Sequence, residues 1–149
     1  MRFLFTAIVI FIIPLAGAYA PTAALGSSPS ALSALQAKAE EAQPRDRCFI
    51  YAELVSKMTE VAGQQFKSGD LQQASMTIKL VQRYAEKIHT TVGDDTARLK
   101  KAELLLQHTT FRLKDILSEA SYEDRPALEA TLKQLNGLQE QLMMQVFRK

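Results

Sequence analysis

Apolar residues recur at spacings of three and four over nearly all of the chain beyond residue 46, and nowhere do they alternate with polar residues over the length of a strand. From Asp46 to Lys67, residues Tyr51, Leu54, Val55, Met58, Val61, Ala62 and Phe66 mark one face of an amphipathic helix. The next segment steps regularly through Leu71, Ala74, Ile78, Val81, Ala85 and Ile88. That is a narrow seam of the coiled-coil type, suited to one or two neighbouring helices. A third pattern runs to about Ala120 through Leu99, Ala102, Leu106, Thr109, Leu113 and Ile116, with Leu105 and Leu117 widening it. At 1.5 Å per residue it predicts a helix of about 36 Å. The last pattern carries Leu128, Leu132, Leu135, Leu138, Leu142 and Val146.

The breaks between these patterns carry turn chemistry. Ser68-Gly69-Asp70 supplies a helix stop, a residue that accepts positive φ, and a cap for the next helix. Thr90 to Asp95 contains Gly93 as a turn residue and Asp94 or Asp95 as a cap. Ser121 to Pro126 offers Asp124 as a cap, with a proline in the first turn, where its missing N–H costs nothing. Short loops between long helices make neighbours antiparallel, so the expected fold is all-α: an antiparallel helical bundle of four main helices over residues 47–149. Gly137 interrupts the last helix at a cost of up to about 1 kcal/mol, and marks either a close helix contact or a weak spot. Glu53 with Lys57, and Glu129 with Lys133, are spaced to pair along solvated faces.

Residues 1–20 read differently. Arg2, an apolar run from Phe3 to Ile13, Pro14 and then small residues form the pattern of a secretory signal peptide. Cleavage after Ala18 fits better than after Ala20, because Pro21 would follow the second site. An uncleaved membrane anchor is the alternative, though the apolar run falls short of the roughly 20 residues a spanning helix needs. The destination is the periplasm or the outside of the cell. Residues 21–46 begin as a Pro, Ser, Gly and Ala linker and continue from Ser30 as a short helix that Pro44 ends.

Losing Arg2 leaves 17 basic and 16 acidic side chains, a balance with no basic face for nucleic acid and no charge run to steer the chain to a membrane. Cys48 is the single cysteine, so no disulfide can form within the chain. It is either buried beside Phe49, Ile50 and Tyr51 or available for pairing between chains.

Candidate chemistry is sparse. Glu86 and His89 have the Glu-x-x-His spacing that in ferritin-like bundles aims a carboxylate and an imidazole at a metal pair, but a second copy is missing. A last-turn histidine favoured by the helix dipole is the plainer account of His89. His108 flanks the buried stripe of its helix and has no glutamate three residues before it. No Gly-x-Ser-x-Gly elbow is present. Catalytic, cofactor-binding and metal-ligating residues are accordingly assigned to none, and no cofactor is expected. Met76, Met143 and Met144 could line an adaptable surface, whereas Met58 belongs to its helix's core stripe.

One stretch carries a family signal. Ala62, Phe66, Gly69-Asp70 and Ala74 stand where a tetratricopeptide-type helical hairpin has a small residue, an aromatic, its corner and a second small residue. Residues 58–86 therefore resemble a single hairpin of that family, which implies a helical scaffold for binding other proteins. Met58 replaces a large aromatic of the pattern, Glu86 replaces its closing proline, and Glu103 lies 34 residues beyond Gly69 where a repeat would turn again. Together these features lead to an expected non-enzymatic interaction or structural module of the cell envelope, binding another protein or self-associating through an apolar seam. The alternative is a small-ligand or metal-binding bundle using Glu86 and His89.

Overall fold

The computed structural model describes residues 29–148 and is all-α, with no strand among those residues. Its helices are α1 (Pro29–Glu41), α2 (Pro44–Ser68), α3 (Leu71–Thr90), α4 (Thr96–Glu119) and α5 (Arg125–Phe147). The segment expected to be an export signal, residues 1–20, falls outside the described residues. No helix among them is long and apolar enough to cross a membrane.

Local chemistry sets the helix ends. Gly69 adopts φ 80° and donates its N–H to the Phe66 carbonyl, while the Asp70 N–H reaches the Gln65 carbonyl at 2.9 Å. That pair of bonds is the Schellman closure, and the Asp70 carboxylate then accepts from the Gln73 N–H to start α3. Asp95, not Asp94, caps α4 by accepting from the Arg98 N–H at 3.1 Å. Asp124 occupies the N-cap position of α5 but makes no side-chain capping bond; its carboxylate accepts instead from the Ser121 hydroxyl. Pro44 opens α2 as well as following α1, because proline is accommodated in a first turn.

Of the four long helices, α2 packs on α3 and α4, α5 packs on the same two, and α1 lies against α2. Sequential neighbours were expected to be antiparallel, and α2/α3 and α4/α5 are joined as such hairpins. α3 and α4 do not pack on one another: residues 91–95 carry the chain diagonally across the fold. The hydrogen bonds and ion pairs show what replaces that contact. Asp46–Arg98 and Glu60–Arg112 join α2 to α4, while Gln82–Gln134 and His89–Gln141 join α3 to α5. Each pair is separated by 52 residues, so α2 runs parallel to α4 and α3 runs parallel to α5. Two helical hairpins thus stack in one register, with corners at Gly69 and Ser121. The spacing of 34 residues suggested by the tetratricopeptide resemblance is not the one the fold uses.

The buried stripes follow the sequence pattern with local exceptions. Ala74, Ile78, Val81, Ala85 and Ile88 are buried, but Leu71 at the start of the seam is 48 % exposed. Thr77 and Tyr84, outside that seam, are buried too. The buried threonines return their hydroxyls to their own helices: Thr59 donates to the Val55 carbonyl, Thr109 to Leu105 and Thr131 to Ala127. Tyr51 and Tyr84 stack across α2 and α3 with centroids 6.0 Å apart, and the Lys87 ammonium lies 5.4 and 5.3 Å from the two ring centroids. The close helix contact is at Gly63, where an added Cβ would stand 3.2 Å from Ile116 Cδ1. At Gly137 it would meet nothing within 4 Å, so that position is the weak spot. Among the described residues, Lys57 pairs with Glu60 and not with Glu53, and Glu129–Lys133 forms no ion pair.

Candidate protein-docking trough

The outer face of α2 has neighbours on both flanks but none above its middle. α4 rises on one side through its contacts with α2, and α1 rises on the other at the Phe49 end, yet α1 and α4 do not pack together. The result is a trough with α2 as its floor. Phe49, Glu53, Ser56, Lys57 and Glu60 project from the floor at spacings of three and four, with Ser56 and Lys57 adjacent, the period that keeps helix residues on one face. Lys101, Leu104, Leu105, His108, Phe111 and Arg112 form the α4 wall. This section encloses about 650 Å³. A second section of about 660 Å³ shares Phe49 and is walled by Ala34, Ala37 and Lys38 of α1 and by Arg98 of α4.

The trough is apolar along part of its wall and charged at its floor and rim. Leu104 and Phe111, one heptad apart on one helix, are 51 % and 58 % exposed. Phe49 and Leu105 are half-buried between them and the core. Arg98 tethers the α1 end: its Nε lies 3.0 Å from Asp46, and its guanidinium sits 5.6 Å from the Phe49 ring centroid. In the middle, Glu60 accepts from Arg112 Nη1 at 2.6 Å and from Lys57 Nζ at 3.3 Å. Burial raises the Glu60 carboxyl, but the hydrogen bonds and charges of Arg112 and Lys57 outweigh it and hold the group below its ordinary value. Glu60 therefore stays ionised and locks α2 to α4 across the trough floor.

The residues singled out for chemistry do not converge. Glu86 and His89 are exposed on α3, and His89 Nδ1 meets the Gln141 side chain of α5. His108 stands on the opposite layer, in the trough wall. Among the described residues no group of three His, Cys, Asp or Glu side chains could hold a metal ion. No buried side-chain nitrogen or oxygen there lacks a hydrogen-bond partner, so no orphaned polar group is aimed at a bound molecule. Cys48 is buried, and desolvation pushes its thiol up to about 11, which keeps it protonated and unreactive at neutral pH. Met143 and Met144 are exposed near the end of α5, and Met76 is exposed on α3.

The trough itself was hidden in the sequence. Leu104 and Phe111 follow a heptad step of their own, but Leu105 and Leu106 beside them obscure it, and only the placement of α2 decides which stripe is covered. No protein-family model, curated protein or solved structure matches the chain.

Proposed function

We propose that this is a non-enzymatic protein-interaction module of the cell envelope, an antiparallel bundle made of two stacked hairpins that docks a protein helix in the α2/α4 trough. One observation carries the reading: Leu104 and Phe111 stand exposed one heptad apart on the wall of an open trough with a half-buried aromatic at its base. An amphipathic helix offers apolar side chains at the matching three-and-four spacing, and the charges of the trough orient its polar flanks. Export is supported by the composition of residues 1–20.

A photoreactive amino acid at Lys57, in the trough floor, tests the reading in the producing cells. Irradiation is expected to give covalent adducts from Lys57, with none from the same probe at Lys79, which is exposed on α3. Adducts of equal yield from both positions, or from neither, would refute a trough-specific partner.

A further inference from the structure

Outside its buried stripe, α4 carries a second one. Lys101, Leu104, His108, Phe111 and Asp115 alternate at spacings of three and four, and all five are exposed and line the trough. The stripe is complementary to itself about His108. A large apolar residue lies four positions before the histidine and another three after it. A cation lies seven before, an anion seven after. Two copies of α4 laid antiparallel with their midpoints at His108 place Leu104 of each copy against Phe111 of the other. The same arrangement places Lys101 of each copy near Asp115 of the other. A parallel arrangement would instead oppose like charges at both ends, so the sign pattern selects the antiparallel one.

Two further observations favour a second copy as the occupant. Among the described residues, Lys101 and Asp115 make no ion pair within the chain, whereas Glu60 and Arg112 beside them are already paired to each other. The stripe also faces away from α5 and from the core residues Leu106 and Leu113, so a second α4 can approach without displacing any helix. We infer that the trough-side stripe of α4 is the contact between two copies of this chain, joined as an isologous antiparallel helix pair whose two-fold axis passes at His108. The inference rests on the same trough that the proposed function uses, and names one occupant of its α4 wall. Four large apolar side chains and two ion pairs make a contact at the small end of interface sizes, so the dimer is a weak, reversible one.

Charge reversal tests the arrangement by sedimentation of the purified protein with a reducing agent present, from micromolar concentrations to about 1 mM. The wild type is expected to pass from monomer to dimer in that range. K101D alone and D115K alone each set two like-charged pairs across the axis, and each is expected to weaken dimerisation roughly 5- to 30-fold. Combining them restores opposite charges and returns the dissociation constant to within about 3-fold of wild type, a recovery that no general loss of folding would produce. F111E is expected to weaken association more than about 10-fold, with helical content unchanged by circular dichroism. A protein monomeric up to the highest concentration would overturn the inference while leaving photo-crosslinking from Lys57 to a different protein intact. A dimer indifferent to both single reversals, or a double variant no tighter than the singles, would also overturn it.

Discussion

The two stripes of α4 have the same period and are neighbours on one helix, yet they have opposite fates. Leu99, Ala102, Leu106, Thr109, Leu113 and Ile116 are buried against α2 and α5, while Leu104 and Phe111 remain open to solvent among charges. Hydrophobicity alone does not distinguish Leu104 from Leu106. What distinguishes them is that α2 and α5 cover one stripe, whereas no other helix among the described residues covers the other, where the Lys114 ammonium lies 5.5 Å from the Phe111 ring centroid. The buried stripe is accounted for by folding, and the exposed one is the stripe proposed for association.

Truncation should separate the stripes most sharply. Leu106→Ala is expected to cost about 2–5 kcal/mol, since Leu106 is fully buried, whereas Leu104→Ala should stay within roughly 0.5 kcal/mol. Urea unfolding of the two variants measures both, and equal losses would erase the distinction. Next in size is the corner of the first hairpin. Ala74 is fully buried where α3 leaves the turn, so Ala74→Leu should overpack the α2/α3 contact and destabilise by about 1–3 kcal/mol. A neutral result would show that the hairpin is open there.

The two mid-helix glycines extend the same contrast between covered and uncovered positions. Gly137→Ala meets open space and should stabilise by up to about 1 kcal/mol. Gly63→Ala gains the same propensity but presses on Ile116, so its thermal midpoint should fall below that of Gly137→Ala. The reverse order would place the close α2/α4 contact elsewhere.

The smallest expected effect belongs to the trough floor. Because Arg112 and Lys57 outweigh burial at Glu60 and hold its carboxyl below the ordinary value, its contribution is complete at neutral pH. That contribution is lost as pH falls through the lowered value. Glu60→Gln should therefore reduce stability at pH 7 by less than about 1 kcal/mol, with the difference from wild type shrinking in acid. A difference that grew on acidification would mean that the pair does not hold α2 to α4.

Much of the helical content was legible because each helix keeps one apolar period and ends on recognisable chemistry. Gly69 needed positive φ, and Asp70 and Asp95 offered carboxylates to free N–H groups; all three act as their types suggest. Topology was not legible. The loop of residues 91–95 is short enough for a hairpin, yet it passes over the start of α2, with Val92 against the core and Gly93 close to Arg45, and α4 returns alongside α2. Tyr84 lies beside the seam of α3, so its periodicity carries no sign of the stack it makes with Tyr51 from α2. Gly63 carries no sequence signal for a similar reason: its value lies in the approach of Ile116 from another helix. The trough had the least sequence signal, since an exposed stripe is defined by neighbours that are absent.

Urea unfolding of the L104E/F111E double variant, at a concentration where the chain is monomeric, tests most directly whether the outer stripe of α4 belongs to association and not to the fold. The expected result is a cooperative transition with an unchanged slope and a stability within about 1 kcal/mol of wild type. A loss of the size expected for Leu106→Ala would contradict the account, because it would make Leu104 and Phe111 part of the core.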